Sequence, residues 1–288
     1  MSTIAGFRHV VVTPSRNESL FLPELAKSML QQSIVPSKWI VVLHNTEDES
    51  VKFLNNLMEQ CDWISVISVN DKSKRRRGSQ IASLINKGLE SSPTDWGYFS
   101  KIDADMILPS DYFERLFAQF SDNPNLGIAS GSCFLIENRL RRKEKVSKTH
   151  TRGGLKTYRR ECFDHISGIR EVDGWDGVDN ILAQMEGWET VNFPMIEVHH
   201  RRRTGSSSGL LWGCFETGRF AYSMRYFFPF ILARSIHQMF RKPILIGGIA
   251  MFFGYIYGKI AKMESSLSKE EVKFLHKLQK NRLFFWRR

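Results

Sequence analysis

The segment 98-YFSKIDADMILPSDYFERL-116 joins an apolar run to two acids, a turn and the start of an amphipathic pattern. Its apolar first part predicts a buried strand over Tyr98–Ile102. Two acids, Asp103 and Asp105, follow where the apolar run stops. Because side chains at positions i and i+2 of an extended chain point the same way, we expect both carboxylates to face one point.

Two carboxylates at close range repel each other unless a cation lies between them or one is protonated. Hard oxygen ligands suit Mg²⁺ or Mn²⁺, and Mg²⁺ commonly joins one or two carboxylates to the phosphates of a substrate. The alternative is a plain turn in which an Asp caps the next helix. Ser110 or Asp111 can provide that cap, so Asp105 is not required for it. A metal site and a turn both remain open interpretations.

Strands and helices alternate on both sides of this segment. Strands are predicted at His9–Thr13, Trp39–Leu43, Trp63–Val69 and Tyr98–Ile102, and helices at Leu20–Gln32, Ser50–Gln60 and Ser79–Glu90. This succession predicts an α/β fold with a mostly parallel, Rossmann-like sheet covered by helices. Ligands of such sheets bind beyond the carboxyl ends of the strands. Three polar segments fall there: Pro14–Glu18, His44–Asn45 and Asp103–Asp105.

Length and composition are those of a globular protein. The chain has 288 residues, 42 % hydrophobic and 25 % charged, which suits one large domain with an appendage and excludes wholesale disorder. Its four cysteines are widely spaced without a CxxC pair, which favours reduced thiols over a disulfide framework or a zinc site. The opening residues lack the pattern of a signal peptide, so we expect a cytoplasmic location.

Positive charge is concentrated at the C-terminal end. Residues 216–288 contain fourteen Lys and Arg against four Glu, a net +10 of the total +11. The first 215 residues are therefore almost neutral. This shift predicts a domain over residues 1–215 and a basic helical appendage over residues 216–288.

The appendage is apolar but interrupted by charge. Its longest uncharged run, Pro243–Gly258, has sixteen residues, fewer than the roughly 20 that a spanning helix needs. Arg234, Arg241 and Lys242 precede this run among aromatic residues. The pattern favours a helix lying on an anionic membrane surface, at the cytoplasmic face of the cell membrane. Packing of these helices on the first domain or on a second copy of the chain is the alternative.

The order and spacing of four segments resembles the inverting family 2 glycosyltransferases of the GT-A fold. The segments are 10-VVVTPSRNE-18, 75-RRRGSQIASLINKGLE-90, the acidic triplet 103-DAD-105 and 174-GWDGVDNILAQMEGW-188. The resemblance covers about residues 8–210. It implies transfer of a sugar, with inversion, from a nucleoside-diphosphate sugar to a hydroxyl of a saccharide or lipid-linked acceptor, assisted by Mg²⁺ or Mn²⁺.

The resemblance also assigns residues to the site. It implies donor binding by Pro14, Arg16, Glu18, Asn45, Arg77, Gly78 and Asp103, metal binding by Asp103, Asp105 and His200, an acceptor side at Gly154 and Trp175, and catalysis by Asp176 or Asp179. One departure is that His44 and Asn45 stand where the family commonly has an acid pair that reads the base. An Asn offers an amide donor and acceptor but no charge.

The general base remains a choice among neighbouring acids. Asp176 precedes Gly187 by eleven residues, as the base precedes a helix-ending Gly in the family's acidic motif. Asp179 is its competitor, and Asp173 is a distant third candidate. An alternative for Asp176 is the N-cap of a helix that begins near Gly177. A similar choice exists between His199 and His200, of which only one can face inward in an extended segment.

Other interpretations stay open. The run 139-RLRRKEKVSKTHTRGG-154 predicts either a solvated mobile loop or a loop that orders over phosphate, with Gly153 and Gly154 allowing close backbone approach. Other classes of function are a metal-dependent nucleotidyltransferase, a membrane-tethered scaffold without activity, and a nucleic-acid-binding protein. Nucleic acid is disfavoured because the basic residues alternate with Ile, Leu, Phe and Gly, and no known nucleic-acid-binding motif occurs.

Overall fold

The computed structural model describes residues 8–73, 78–137, 140–144, 147–202 and 209–285. The strands are β1 (Arg8–Ser15), β2 (Lys38–His44), β3 (Ile64–Val69), β4 (Trp96–Ile102), β5 (Met106–Ile107), β6 (Leu126–Glu137), β7 (Leu140–Lys143), β8 (Leu155–Arg159) and β9 (Glu189–His200). The helices are α1 (Leu22–Leu30), α2 (Ser50–Gln60), α3 (Ser79–Glu90), α4 (Tyr112–Asp122), α5 (Arg160–His165), α6 (Trp175–Met185), α7 (Leu210–Ser223), α8 (Phe228–Met239), α9 (Ile246–Ile260) and α10 (Lys269–Phe285).

Within these residues the strands form one sheet in the order β3-β2-β1-β4-β8-β6-β9-β5, with β7 paired to β6. The first four strands are parallel, because β1 pairs parallel with both β2 and β4, and β2 with β3. Val10, Val11 and Val12 of β1 are fully buried, as expected for a strand covered on both faces. Helices α1, α2 and α4 cover one face of the sheet, and α3, α5 and α6 cover the other. The predicted α/β fold is confirmed.

The second half of the sheet is mixed. Strand β8 lies antiparallel between β4 and β6, with Ile102 opposite Leu155. Strand β9 runs parallel to β6, and the two-residue β5 pairs antiparallel with β9, with Met106 opposite His200. These pairings bring two distant segments to the end of β4: the start of β8, about 50 residues further along the chain, and the end of β9, about 95 residues further along.

The region after residue 139 is more ordered than a solvated loop. Strand β7 pairs with β6, so the prediction of a mobile loop over 139–152 is wrong for Leu140–Lys143. The charges of this strand are satisfied across the sheet. Arg141 stacks on Phe134 at 3.9 Å and pairs with Glu197, and Lys143 Nζ donates to Pro194 O at 2.7 Å. The positive charges of β7, which the sequence suggests are exposed to solvent, are thus paired with residues of β9.

The C-terminal helices begin before the predicted division. The boundary at residue 215 falls inside α7, which packs lengthwise on α9. Small residues allow this approach, because a Cβ on Gly218 or Gly254 would overlap a backbone carbonyl of the opposite helix. In the described part of the chain, no helix combines the length and apolarity needed to cross a bilayer.

Candidate active site

The carboxyl ends of β1, β2 and β4 meet at one edge of the sheet. Because these strands are parallel neighbours, Arg16, Asn45 and Asp103 come to the same edge although they lie far apart in sequence. Arg16 Nη1 is buried without a hydrogen-bond partner among the described residues, as are Ser15 Oγ and Thr46 Oγ1. Buried polar atoms normally have partners, so this edge offers donors and acceptors to a polar ligand.

Asp103 follows β4 directly and is oriented by its neighbours. Its Oδ1 pairs with Nζ of the buried Lys101, and its backbone N–H donates to Gly154 O at 2.9 Å. The side chain stays 37 % exposed. The Asp103 carboxylate is fixed by Lys101 on its buried side and can still bind a ligand on its exposed side.

Asp105 lies deeper and faces two basic side chains. Arg202 Nε donates to its Oδ2 at 2.8 Å, and His200 Nε2 lies 3.5 Å from the same oxygen. Burial raises the pKa of Asp105, but His200 and Arg202 outweigh burial and bring the pKa to about 2. A second oxygen, Glu18 Oε1, accepts from Arg202 Nη2 at 2.8 Å. The Pro14–Glu18 segment and the β9 end therefore meet through one guanidinium.

The register of β9 decides which histidine faces the acids. His200 is buried beside Asp105, whereas the His199 ring stacks on Phe134 at 5.2 Å on the other side of the strand. His200 Nδ1 also lies 3.2 Å from Glu144 Oε2. Burial lowers the pKa of His200, yet the hydrogen bonds to Asp105 and Glu144 raise the pKa to about 9.

A further set of ligand atoms lies behind His200. One ligand atom each of Cys133, Glu144 and His200 lie within 4.8 Å of one another. Burial raises the pKa of the Cys133 thiol to about 12, and Arg152 Nη1 already contacts Glu144 Oε2 at 2.7 Å. These residues could ligate a metal only if Arg152 moved. Of Asp103, Asp105 and His200, only Asp103 is substantially exposed, whereas Asp105 and His200 are buried beside each other.

Two glycines separate the acid of β4 from the acid of α6. A Cβ on Gly154 would overlap Asp103 Oδ2, and a Cβ on Gly153 would lie 2.9 Å from the Cβ of Asp176. The backbone of this dipeptide therefore lies directly between the two carboxylates. The backbone comes close to protein side chains here, and its role as a hinge or in close approach to a sugar stays a prediction.

We expect Gly154→Ala and Gly153→Ala to lower activity in different ways. The alanine at 154 displaces Asp103 and should raise the KM for donor and metal, whereas the alanine at 153 displaces Asp176 and should lower kcat. Steady-state kinetics with varied donor and Mn²⁺ would separate the two effects. Gly187→Ala is the control: its φ of +84° makes alanine cost about 1 kcal/mol of stability, but nothing lies within 4 Å, so activity should be kept. Equal kinetics for all three variants would contradict this geometry.

Asp176 lies in the first turn of α6 and is half-buried. The helix begins at Trp175 with Gly174 as its N-cap, so Asp176 is not the cap residue. Its backbone carbonyl accepts from Lys156 Nζ at 2.6 Å and from Asn180 Nδ2 at 2.7 Å. The backbone of this turn is thus fixed while the carboxylate points toward the glycine pair.

Asp179 has a different environment. It is only 2 % exposed, pairs with Nζ of the fully buried Lys156 and accepts from the hydroxyl of Tyr158. Burial raises the pKa of Asp179 more than these partners lower it. A carboxylate sealed in this way has no path to an acceptor hydroxyl, so its contacts indicate that it positions α6 on β8.

Lys156→Met should destabilise the fold by about 3–5 kcal/mol, because it leaves the buried Asp179 without its counter-charge. Urea denaturation gives the free energy of unfolding directly. Lys52→Met, at an exposed position of α2, is the control and should change stability little. Adding Asp179→Leu to Lys156→Met should recover part of the loss; no recovery would mean that the pair is not the source of it.

The ends of β2 and β3 are joined by a polar network. Asn45 Oδ1 accepts from the backbone N–H of Asp71 at 2.8 Å, and Asn45 Nδ2 donates to Asp71 Oδ1 at 3.2 Å. His44 Nε2 lies 3.1 Å from the same oxygen. Hydrogen bonds from Ser73, with those from His44 and Asn45, hold the pKa of Asp71 below its usual range. The end of β2 has His44 and Asn45 in place of an acid, and Asp71, which follows β3, brings a carboxylate to the same place.

The remaining predicted residues occupy distinct places. Gly78 opens α3 with a φ of +76°, and Ser79 N–H there lies 3.3 Å from Asp173 Oδ1. Trp175 is 5 % exposed, with Lys101 Nζ and Lys156 Nζ at 5.8 and 5.6 Å from its ring centre, so it packs under the site and does not offer its ring to an acceptor. Pro14 lies in β1 opposite Val42. Arg77 lies outside the described residues.

Several residues of this site are not evident from sequence motifs. They are Asp71, Lys101, Glu144 and Lys156, each of which contacts a predicted site residue, and Arg152, which contacts Glu144. Lys101 lies among the apolar residues of β4, where a charged residue is unusual, and that is the one signal available from sequence.

The parallel first half of the sheet, the mixed second half and the acids at its carboxyl edge define the GT-A fold of glycosyltransferases. The chain belongs to glycosyl transferase family 2, whose sequence model matches residues 10–175. No curated protein sequence matches the chain significantly.

Solved structures share the fold at low sequence identity. The mannosyltransferase PcManGT from Pyrobaculum calidifontis, in complex with GDP-Man and Mn²⁺, is 15 % identical with a TM-score of 0.58, over 97 % of this chain and 81 % of that one. TarS 1-349 from S. aureus with UDP-GlcNAc is 13 % identical, TM-score 0.56, over 74 % and 65 %. GalNAc-T7 with UDP, GalNAc and Mn²⁺ is 15 % identical, TM-score 0.55, over 77 % and 51 %. The chain thus spans about half of GalNAc-T7.

Proposed function

We propose that this protein transfers a sugar from a nucleoside-diphosphate sugar to an acceptor hydroxyl, with inversion at the sugar carbon. The observation that carries the proposal is the pair Asp103 and Asp176, placed on either side of Gly153-Gly154 at the end of β4. One carboxylate lies where a donor's diphosphate would bind, and the other is open to an approaching hydroxyl. Family membership and the nucleotide sugars in the similar structures support the same reaction.

A divalent cation would be held on the donor side by the oxygens of Asp103 and Asp105, with His200 as a third ligand. Arg202 Nε and His200 Nε2 now lie 2.8 and 3.5 Å from Asp105 Oδ2. A cation at Asp105 would therefore replace these two contacts. A bound Mg²⁺ or Mn²⁺ would neutralise the charge that develops on the departing diphosphate.

The nucleotide would lie along the strand ends. Arg16 has an unsatisfied buried nitrogen, which suits a donor phosphate. Asn45 Nδ2 already donates to Asp71 Oδ1 and Ser73 O, so Asn45 would bind a base edge through the free lone pair of its Oδ1. The space beside Gly78 at the start of α3 is filled by Asp173 Oδ1. Glu18 acts on this side through Arg202, which it holds beside Asp105.

Asp176 would act as general base. The acceptor oxygen forms a bond to the anomeric carbon from the face opposite the leaving group, the bond from that carbon to the diphosphate oxygen breaks, and the acceptor proton passes to Asp176. A hydroxyl does not ionise near neutral pH, so this proton transfer accompanies bond formation. Asp179 and Lys156 keep the first turn of α6 in place.

A screen of nucleotide sugars for hydrolysis in the presence of Mg²⁺ or Mn²⁺ tests the proposal without knowledge of the acceptor. We expect slow release of the nucleoside diphosphate from one donor, dependent on metal. A nucleotidyltransferase would instead release pyrophosphate from a nucleoside triphosphate. Activity of that kind, with no turnover of any sugar donor, would overturn the assignment.

We also propose that the C-terminal helices rest on an anionic membrane at its cytoplasmic face. Large apolar side chains are exposed on α8, α9 and their connection, including Phe240 at 80 % and Ile244 at 63 %, beside Arg241 and Lys242. Apolar and cationic groups side by side are typical of interfacial binding.

Phe240→Ser with Ile244→Ser should weaken binding to phosphatidylglycerol vesicles by about tenfold or more, since two exposed apolar side chains are removed. Vesicle sedimentation measures this, and Met195→Ser, an equally exposed apolar position on β9, is the control. If the wild-type protein does not bind vesicles but forms a dimer that the double variant disrupts, a second copy of the chain covers the surface around Phe240 and Ile244 instead.

A further inference from the structure

A cleft of about 300 Å³ separates α7 from α8, with Met251 of α9 at its floor. Its α7 wall is formed by small and weakly polar residues, among them Gly213, Cys214 and Thr217. Its opposite wall is basic: Arg234 and His237 of α8 line it, together with Arg241 and Lys242 of the connection that follows α8. Arg234 and His237 are three residues apart and so lie on one face of the helix.

The charges in this cleft have one sign. Among the described residues that line it, none is acidic. Arg234, Arg241 and Lys242 are all exposed, so little burial opposes their charge. Several cations converging on a cavity without a carboxylate make a site for an anion, and arginine is suited to phosphate because its guanidinium binds two oxygens at once.

Exposed apolar side chains neighbour the lining residues in sequence. Leu211 and Trp212 are about half exposed next to Leu210 of α7, and Phe240 and Ile244 are largely exposed on either side of Arg241 and Lys242. Positive charge and hydrocarbon therefore occur together on these segments. This combination matches an amphiphile with a phosphate head.

Helix α7 connects the cleft with the base side of the active site. Its first half lines the cleft, and its C-cap Met224 packs on the start of α6, where a Cβ on Gly174 would lie 3.2 Å from Met224 Sδ. Burial chiefly lowers the pKa of His150 to about 4, and Arg234 contributes to the lowering. His150 Nδ1 lies 3.4 Å from Asn180 Nδ2, and that amide donates to the carbonyl of Asp176. The donor groups Arg16 and Arg202 belong to a different part of the surface, at the strand ends.

We infer that the cleft between α7 and α8 binds the phosphate head of an amphiphilic acceptor, and so brings its sugar or hydroxyl to Asp176. The inference rests on the proposed function for the identity of the acceptor. The binding site itself does not depend on catalysis and can be measured without a donor.

Isothermal titration calorimetry of the full-length protein with octyl phosphate, below its micelle concentration, tests the site. We expect binding that weakens about tenfold or more in Arg234→Gln with Arg241→Gln, which removes two charge-assisted contacts. Lys52→Gln with Lys87→Gln removes the same charge from exposed positions of α2 and α3 and should bind as the wild type does. Both double variants change exposed side chains, so folding should be preserved.

Two further ligands identify what is recognised. If inorganic phosphate binds as tightly as octyl phosphate, the cleft does not recognise the apolar part of the ligand, and the amphiphile is the wrong ligand. If octanol binds as tightly, the cleft does not recognise the phosphate. Absence of octyl phosphate binding to the wild type would overturn the site. Failure of the proposed function has a separate sign, because the donor screen would then show no metal-dependent hydrolysis whatever the calorimetry gives.

Discussion

Asp176→Asn should lower kcat for sugar transfer by about 10²–10⁴-fold while the KM for the nucleotide sugar stays near the wild-type value. The substitution keeps the size of the side chain but removes the oxygen that accepts the acceptor's proton, and positioned proton transfer contributes about this much. The first turn of α6 should stay in place, because Lys156 and Asn180 contact the backbone carbonyl of residue 176. Transfer and donor binding measured on the same preparation would separate the two quantities.

Asp179→Asn is the matched comparison, since it removes the same charge one turn further along α6. We expect a lower melting temperature here, because Lys156 loses its buried counter-charge, with kcat falling only as far as folded protein is lost. If Asp179→Asn lowers kcat selectively at unchanged stability, whereas Asp176→Asn does not, the roles of the two acids are reversed. The burial of Asp179 beneath Lys156 and Tyr158 is the reason we expect the first outcome.

Asp103→Asn should have the second large effect, a loss of about 10²–10³-fold or more in donor turnover. Charge stabilisation by a bound metal is worth several kcal/mol, and each 1.36 kcal/mol is a factor of ten in rate. The variant should also bind Mn²⁺ more weakly, which electron paramagnetic resonance titration reports independently of activity. Lys101, left beside a neutral amide, adds to the loss by placing an unpaired cation at the site.

Asp111→Asn is its control. That acid lies eight residues on, at the start of α4, where it is half exposed and contacts Arg115 at 3.8 Å. It should bind Mn²⁺ and turn over donor as the wild type does. Metal-independent turnover that survives in Asp103→Asn would remove the metal from the mechanism and leave this acid without the proposed role.

Much of the first half of the fold could be predicted from sequence. The strands around Val10–Val12 and Tyr98–Ile102 are rich in apolar and aromatic residues that face both sides of the sheet, and such runs are local signals. Strands β6 and β8 escaped prediction. Strand β8 reads LKTYR, with Lys156 as its second residue, and the buried charge of Lys156 is compensated by Asp179 of α6.

The candidate site divides in the same way. Asp103, Asp105 and Asp176 stand out in sequence because acids follow a strand or open a helix at a family-like spacing. Glu144 and Asp71 do not stand out, since one lies in a charge-rich run and the other in an ordinary turn. Their roles come from contacts with His200 and Asn45, which are 56 and 26 residues away.

The amino-acid sequence by itself determined the alternation of strands and helices, the acids at the strand ends and the basic, apolar character of the C-terminal helices. Each of these is written in neighbouring residues, through apolar periodicity or local charge. Only the tertiary structure decided that His200 rather than His199 faces Asp105, that Gly153-Gly154 separates Asp103 from Asp176, and that Asp179 is sealed against Lys156. The reason is that sheet register and helix packing set these neighbours, and both depend on residues distant in the chain.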